Sequence, residues 1–357
     1  MNYKTNKKRM ANLIKNPKML VIAAAVIGCV ALGVAFFFGD ALYGTYCDKE
    51  EHVIFIEPNE SADSVKIKVE GVAKGDKLEM FRWLAEKKDY YNHIRPGRYD
   101  IGSGASTLTV FRNLRNGSET PAKLTIPPLR TVGDLARHLG KKLMADSATF
   151  AAVLTDSTLL AEHGLKRETA VCLFLQNTYE VYWSIKPEKL MERMAKEYDA
   201  FWTRKREGKL DDIMAGFTRE QAITLASIVE SETANNAEKP SVAGLYINRL
   251  KKGIKLQADP TVKFAVGDFT IHRVLNRHLA TVSPYNTYLN EGLPPGPICI
   301  PSVESIDAVL NYEHNDYIFM CAKEDFSGTH NFARTDAEHQ ANARRYQKAL
   351  DERNIKK

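Results

Sequence analysis

A run of twenty residues without a charged side chain, from Met19 to Phe38, constrains this chain more than any other feature. A helix rises 1.5 Å per residue, so such a run matches the apolar core of a bilayer, about 30 Å thick. We predict a membrane-spanning helix over 19–38. A cleaved signal peptide and a buried core helix are the alternatives. The run is longer than a typical signal-peptide core, and Gly39-Asp40-Ala41-Leu42 is a poor cleavage site.

Charge is distributed unevenly around this run. Six basic residues and no acidic residue precede it: Lys4, Lys7, Lys8, Arg9, Lys15 and Lys18. Such a flank favours the cytoplasmic side, so we predict a cytoplasmic segment 1–18 and an extracytoplasmic, periplasmic-side body from residue 39. Without these six, the 50 basic residues become 44 and balance the 44 acidic ones. A neutral body without a basic stripe excludes nucleic-acid binding.

The five cysteines show no metal-site spacing and no disulfide framework. One of them, Cys29, follows Val26-Ile27-Gly28 in a sequence similar to a lipoprotein processing signal. The apolar run continues nine residues beyond Cys29, which favours an uncleaved anchor.

Secondary-structure patterns predict a mixed α+β fold beyond the anchor. Strands are predicted at 53–56, 65–69, after Pro96-Gly97 and at 124–127, and helices at 78–87, after Ser106, after Thr131 and from Pro187. The predicted divisions are a membrane-proximal region 39–145, a helical connecting region 146–216 and a catalytic domain 217–350.

One helix carries the candidate chemistry. Thr218 and Gln221 form a capping box at the start of an apolar helix that ends in two carboxylates, Glu230 and Glu232. Glu230 shares a face with Ile223 and Ala226, so we expect burial to raise its pKa, as a general acid requires. Two solvated helix-end carboxylates are the alternative interpretation. The two acids lie about 200° apart around the helix and cannot flank one bond together.

Several motifs follow this helix in order: Ile247-Asn248-Arg249-Leu250, Gln257-Ala258-Asp259-Pro260-Thr261, Tyr285-Asn286-Thr287-Tyr288, Pro294-Pro295-Gly296 and His330-Asn331-Phe332. Together with Ser227-Ile228-Val229-Glu230-x-Glu232, they resemble the YceG-like family of endolytic murein transglycosylases, the MltG type. Pro96-Gly97-Arg98-Tyr99 matches the LysM-like N-terminal part of the family. The sequence departs from the family pattern at Gln176-Asn177, at Ser231 and at 127–130.

This resemblance implies cleavage of the β-1,4 bond between N-acetylmuramic acid and N-acetylglucosamine with formation of a 1,6-anhydro end. A single acid suffices for this reaction, and the resemblance assigns that role to Glu230. It also implies no cofactor and no metal.

The residues expected to bind the substrate are Asn248, Gln257, Asp259, Thr261, Tyr285, Asn286 and Tyr288. The amides can bond sugar hydroxyls and acetamido groups, and the tyrosines can stack on a pyranose ring. A turn cap at Asp259 and an Asx turn at Asn286 are equally consistent with the sequence.

Two other functional classes are open alternatives. One is a non-catalytic envelope glycan-binding or scaffolding protein. The other is a zinc peptidase, suggested by His314, His330, Glu338 and His339, although no His-Glu-x-x-His motif occurs.

The anchor also predicts where the substrate lies. A tether of about fifteen residues between Phe38 and the first strand limits reach to glycan near the membrane. We therefore expect newly made strands as the substrate, termination of their elongation as the outcome, and peptidoglycan synthases as possible partners.

Overall fold

The computed structural model of this chain describes residues 17–48, 50–102 and 104–353. Helices dominate, and the described strands form three two-stranded sheets. The predicted mixed α+β class with an N-terminal apolar helix is confirmed. The described chain divides into two compact units, which we treat separately. Unit 1 runs to Ala122 and includes Tyr182–Ser184. Unit 2 contains Lys123–Val181 and the chain from Ile185 onward.

This division differs from the predicted boundaries at 145 and 216. Buried residues from Leu124 to Tyr312 belong to one continuous hydrophobic core. The predicted helical connecting region 146–216 therefore shares its core with the predicted catalytic domain, and both lie in the same compact unit apart from Tyr182–Ser184.

Unit 1 contains α1 Pro17–Tyr43, β1 Val53–Ile56, α2 Ala62–Glu70, α3 Gly75–Lys87, β2 Gly97–Asp100 and α4 Thr107–Asn116, with a 3-10 turn at Tyr90–Asn92. β1 and β2 pair antiparallel, with Ile54 opposite Tyr99. Phe81 lies in the core of this unit and makes edge contacts with Tyr90 and Phe111. The order strand, helix, helix, strand is the frame of unit 1. Its LysM-like character stays a prediction.

The predicted strand at 65–69 is wrong, because these residues lie in α2. The Ser61 hydroxyl accepts a hydrogen bond from the Ser64 backbone and caps the helix. Val65 and Val69 are buried four residues apart, whereas Ile67 is 76% exposed. The alternation of apolar and basic residues predicts a strand. The i, i+4 spacing of the two buried valines is also that of one helix face, and the helix is what forms.

Helix α1 is 27 residues long and apolar enough to cross a membrane, by length and composition. Its last turn belongs to the core of unit 1. Ala41 is buried, and Asp40 forms an ion pair with the buried ammonium of Lys77. The last turn of α1 is therefore part of the fold of unit 1.

The chain after α1 is packed as well, so part of the predicted tether of about fifteen residues between Phe38 and the first strand belongs to unit 1. Tyr46 is fully buried, and its hydroxyl donates to the Val69 carbonyl at 3.0 Å. Its backbone N–H donates to the Ala105 carbonyl at 2.9 Å, and Thr45 forms a β-bridge with Ser106. Apolar burial and backbone pairing together fix residues that the sequence alone suggested were a linker.

Unit 2 begins within β3 Ala122–Thr125. Its next elements are α5 Val132–Lys142, α6 Ser147–Leu154, α7 Ser157–Glu162, a 3-10 helix Arg167–Leu173 and β4 Thr178–Val181. It continues with α8 Pro187–Phe201, α9 Arg204–Glu207, α10 Leu210–Ile213, α11 Arg219–Glu232, α12 Lys239–Lys251, α13 Asp259–Val266 and α14 Asn276–Leu279. It ends with α15 Val303–Leu310, β5 Phe319–Ala322, β6 His330–Ala333 and α16 Asp336–Glu352. β3 pairs with β4, and β5 pairs antiparallel with β6.

Local sequence signals located most of the helix boundaries. Ser106 caps α4, and Gly117 ends it in the left-handed conformation at φ 71°. Capping boxes start α5 at Thr131 and α11 at Thr218, as predicted. Pro187 opens α8, whose predicted apolar stripe is buried. The strand predicted at 124–127 begins two residues earlier.

Helix α11 lies at the centre of unit 2. Every residue from Ala222 to Val229 is buried, and the helix packs against α15, α12 and α13. Its C-terminal turn therefore delivers Glu230 and Glu232 to the junction of these three helices.

We expect Tyr46→Ala to destabilise unit 1 by about 3–5 kcal/mol, because it leaves a cavity where a buried aromatic ring was. Tyr46→Phe should cost only about 1 kcal/mol, the net contribution of one hydrogen bond. Urea unfolding of the detergent-solubilised chain measures both. The matched control is Tyr43→Ala, since Tyr43 is 69% exposed. Equal stability of all three variants would contradict the packed junction.

Candidate active site

The end of α11 directs its two carboxylates to opposite sides. Glu230 points toward the start of α12 and the N-terminus of α15. Glu232 points toward the middle of α12, into a cavity of about 370 Å³. The predicted 200° separation of the two acids agrees with this arrangement.

Glu230 is held by three groups. The Lys239 Nζ lies 2.9 Å from its carboxylate, the Ser302 hydroxyl donates to it at 2.6 Å, and the Ser305 hydroxyl also donates. Lys239 is only 3% exposed, so the carboxylate is the counter-charge of a buried ammonium. Glu230 is thus part of a buried ion pair that joins three helices.

The expectation of a raised pKa for Glu230 is wrong. Burial raises the pKa of this carboxyl, but the hydroxyls of Ser302 and Ser305 and the Lys239 ammonium lower it by more. The net pKa lies below its usual range, and Glu230 is ionised at neutral pH. The apolar helix face indicated the burial correctly but could not reveal partners that lie up to 75 residues away in the chain.

Glu232 has the opposite environment. Burial raises the pKa of its carboxyl to about 7, and the negative charge of Asp259 adds to this. The Tyr246 hydroxyl donates to the carboxylate at 2.7 Å and, with the charges of His330 and Lys263, lowers the pKa by less. Glu232 therefore carries a proton in a substantial fraction of molecules at neutral pH. A carboxylic acid of this kind is what general acid catalysis requires.

The cavity around Glu232 has a floor on α12 and walls from α13 and the β5–β6 hairpin. Arg249 donates to the Gln257 side-chain oxygen at 2.6 Å and to the Ile318 carbonyl. Gln257 has a left-handed backbone at φ 51°, a conformation that non-glycine residues adopt rarely. The Tyr288 hydroxyl donates to Asp259 at 2.7 Å. These contacts fix polar groups around Glu232, a half-buried acid that lines the cavity.

A buried carboxylate orients the histidine of the cavity. Glu238 accepts hydrogen bonds from the His330 backbone at 2.6 Å, from its Nδ1 at 2.9 Å and from the Thr233 hydroxyl at 3.1 Å. Because a carboxylate can only accept, Nδ1 carries the hydrogen in this pair. The other ring nitrogen, Nε2, takes no part in this contact, and His330 lines the cavity.

Three of the predicted binding residues lie together in this cavity with Glu232: Gln257, Asp259 and Tyr288. Gln257 and Asp259 are exposed, so their polar groups are accessible to a ligand. The Asp259 carboxylate accepts a hydrogen bond from the Tyr288 hydroxyl, so its observed side-chain contact is with that tyrosine and does not require a turn cap.

The other four predicted residues have contacts within the fold. Asn248 donates to the carbonyls of Asn315 and Tyr317. Thr261 is fully buried, and its hydroxyl is bonded to Ala258 and Thr287. These two side chains hold the loops that carry the cavity, and their predicted contact with substrate remains a prediction.

Asn286 and Tyr285 also serve the loop around them. The buried Asn286 amide donates to the carbonyls of Leu279 and Thr281, and its oxygen accepts from the Tyr288 backbone in an Asx turn. The Tyr285 ring packs on Phe264 at 4.6 Å between centroids. The Asx-turn interpretation of Asn286 therefore describes its observed contacts.

Sequence reasoning missed several residues of this site. The sequence presents Glu232 only as a helix-end carboxylate and His330 only as a candidate zinc ligand, and it assigns no role to Tyr246 or Arg249. Tyr246 and Arg249 lie three residues apart on α12, the spacing of a shared helix face, which was the available signal. Nothing local distinguished Glu232 from Glu230.

Of the histidines behind the zinc alternative, His330 and His339 both line the Glu232 cavity, whereas His314 does not. His314 lies against the Tyr312 ring at 4.5 Å, His339 stacks on Phe319 at 5.2 Å, and His330 pairs with Glu238. Within 17–48, 50–102 and 104–353, no group of three or more His, Cys, Asp or Glu side chains is placed to hold a metal ion.

Comparison with known proteins places this site in a family context. Residues 54–345 match the sequence model of the YceG-like family. An endolytic murein transglycosylase of Bacillus subtilis is 39% identical over 131 residues, which are 37% of this chain and 36% of that protein. One from Streptococcus pneumoniae serotype 2 is 26% identical over 270 residues, 68% of this chain and 49% of that protein. The chain thus spans about half or less of these relatives.

A solved structure is also similar. The crystal structure of a yceG-like protein from Listeria monocytogenes aligns with a TM-score of 0.55 and 25% sequence identity. The alignment covers 82% of this chain and 99% of that one. It supports the fold described above.

We expect Glu230→Gln and Glu232→Gln to change stability in opposite directions. Glu230→Gln leaves Lys239 as a buried, unpaired charge and should cost about 2–3 kcal/mol at neutral pH. The double variant Glu230→Gln, Lys239→Met should recover most of this loss. Urea unfolding monitored by circular dichroism measures each variant.

Glu232→Gln should instead stabilise the protein as pH rises. The pKa of Glu232 rises on folding from an ordinary 4.5 to about 7, so the wild type loses stability across this interval. The amide does not titrate, so its advantage should grow as pH rises from about 4.5 to about 7 and level off above that. A pH-independent difference, or destabilisation by Glu232→Gln at the higher pH, would contradict the geometry.

Proposed function

This chain belongs to the YceG-like family, and from that membership we propose that it is an endolytic murein lytic transglycosylase. Its substrate is a peptidoglycan glycan strand, and the bond it cleaves is the β-1,4 bond from N-acetylmuramic acid to N-acetylglucosamine. The observation that carries the proposal is Glu232, a carboxylic acid with a pKa of about 7 in an open polar cavity. The names of the two transglycosylase relatives support the same reaction class.

The proposed mechanism uses one acid twice. Protonated Glu232 gives its proton to the glycosidic oxygen as the bond to C1 of N-acetylmuramic acid breaks. The resulting carboxylate then accepts the proton of the C6 hydroxyl as O6 attacks C1, closing the 1,6-anhydro ring. The acid is regenerated, water is not consumed, and no second catalytic carboxylate is required.

We propose Glu232, rather than the sequence-predicted Glu230, as this acid. Glu230 is ionised and neutralised by Lys239, so it has no proton to give at neutral pH. Its partners, Lys239, Ser302 and Ser305, belong to the starts of two neighbouring helices, so replacing Glu230 affects the fold. Glu232 meets both requirements of an acid, a proton and an accessible position.

The neighbours of Glu232 suggest binding roles. Tyr246 holds the carboxyl in one orientation through its 2.7 Å hydrogen bond. Gln257, fixed by Arg249, and Asp259, fixed by Tyr288, offer oxygens to sugar hydroxyls or the acetamido N–H. The Tyr288 ring offers a stacking surface for a pyranose, and His330 offers Nε2 as a further hydrogen-bonding group. These groups would orient the strand relative to the acid.

We also propose that α1 anchors the chain in the cytoplasmic (inner) membrane as a single span. The basic segment 1–18 favours a cytoplasmic N-terminus, with both units on the extracytoplasmic side. An enzyme held there meets strands as they are made, so the proposed outcome is termination of elongation. Synthases that make those strands are the partner class this position implies.

Activity tests the proposal directly. The full-length chain in detergent should release anhydromuramyl ends from purified glycan strands, as measured by mass spectrometry. Glu232→Gln should reduce their rate of formation by at least about 10³-fold, because proton transfer to the leaving oxygen is lost. Glu230→Gln with Lys239→Met, a folded control, should retain turnover.

Three outcomes are informative. Full activity of Glu232→Gln would refute its role, and loss of activity only on replacement of Glu230 would restore the sequence-predicted assignment. Strand binding by the wild type without any anhydro product would favour the non-catalytic glycan-binding alternative.

The topology has its own test. A phosphatase reporter fused after Arg353 matures only where its disulfides form, outside the cytoplasm. We expect an active phosphatase and, at the same position, an inactive cytoplasmic reporter. The reverse pattern would refute the proposed orientation, and an active reporter released into the soluble fraction would indicate a cleaved signal peptide.

A further inference from the structure

A second cavity in unit 2 lies on the Glu230 side of α11. We call it the cationic groove and define it by Pro128, Arg130, Lys263, Phe264 and Phe269. The Arg130 guanidinium lies over the Phe269 ring at 4.5 Å, and the rings of Phe264 and Phe269 are 6.2 Å apart. The groove thus combines aromatic walls with positively charged groups.

Its positive charges are available to a ligand. Among the described residues, neither Arg130 nor Lys263 has a carboxylate in ion-pair contact, and Arg130 is exposed. Glu230 borders the groove, but its charge is compensated by Lys239. The uncompensated charge that a ligand meets is therefore positive.

The groove continues along α5. An adjoining cavity shares Pro128, Arg130 and Phe269 and extends to His138 and Lys141. The neighbouring Arg137 is paired with Asp134 and adds little net charge. The cationic surface is consequently elongated, which suits an extended chain better than a single small anion.

The groove borders the proposed acid site through adjacent residues of the same two helices. On α11, Ser231 lines the groove and Glu232 lines the acid cavity. On α13, Pro260 lines the groove and Asp259 lines the acid cavity. The two cavities therefore border the same ends of α11 and α13, on different faces of α11.

We propose that the cationic groove binds the peptide stem that murein carries on its muramic acid. This inference rests on the proposed function. The stem branches from the lactyl group of the reacting sugar, so it leaves the strand close to the cleaved bond. Its carboxylates match Arg130 and Lys263, and its aliphatic parts match the walls of Phe264 and Phe269. The groove makes the enzyme selective for strands that still carry stems.

The test compares two forms of one substrate. The full-length chain in detergent is given glycan strands with intact stems and the same strands after an amidase has removed them. We expect wild-type kcat/KM to be higher for stem-bearing strands. Arg130→Ala should lower the ratio of the two kcat/KM values about tenfold, and Arg130→Lys should restore part of it. The matched control is Arg193→Ala, an exposed arginine of α8 paired with Glu197, which should keep the wild-type ratio.

The outcomes separate this inference from the proposed function. If the wild type cleaves both substrates and Arg130→Ala leaves their ratio unchanged, the groove has no role in stem binding, although the reaction stands. If the wild type cleaves neither, the reaction fails. Calorimetry with the free stem peptide then decides the groove: binding that Arg130→Ala weakens and Arg193→Ala does not supports it, and any other result overturns it.

Discussion

The buried ion pair between Glu230 and Lys239 is the interaction on which the rest of unit 2 depends. Its carboxylate also accepts from Ser302 and Ser305, and Ser302 is the N-cap of α15. The end of α11, the start of α12 and the start of α15 therefore meet at one charge. An ammonium that is 3% exposed cannot lose its counter-charge without a large free-energy cost, so the three helices are fixed together. Because the end of α11 is fixed, the direction of the Glu232 side chain, two residues further along the same helix, is fixed as well.

One helix end thus creates two carboxyl groups with opposite properties. Glu230 has partners that favour its ionised form, whereas Glu232 has an acidic neighbour, Asp259, and a single hydroxyl donor among the described residues. The first contributes stability and the second is held protonated at some cost to stability. The two roles are thus separated: Glu230 is held in an ion pair, and Glu232 lines a cavity without an ion-pair partner among the described residues.

Much of the fold follows from local sequence, whereas the site does not. Capping residues such as Thr131 and Thr218 act within one turn of a helix, so their effects can be predicted from neighbouring residues. The strand prediction for 65–69 is wrong because Val65 and Val69, four residues apart, fit both the alternation of a strand and the i, i+4 spacing of a helix face. Glu230 and Glu232 could not be ranked, because their environments come from Lys239, Tyr246, Asp259 and Ser302, which only the tertiary fold brings to them. Gln257, Asp259 and Tyr288 were predicted from a family motif rather than from local physical chemistry, and all three line the Glu232 cavity.

Because the end of α1 is packed into unit 1, the helix fixes both the rotation of unit 1 about the helix axis and its position along that axis. A helix advances about 100° and 1.5 Å with each residue, and this helix runs into the core of unit 1 without a flexible break. One residue added within α1 would turn unit 1 by about a quarter of a revolution about the helix axis, whereas four would nearly restore its heading. If α1 spans the membrane as proposed, the number of residues within α1 sets which face of unit 1 lies along the membrane surface.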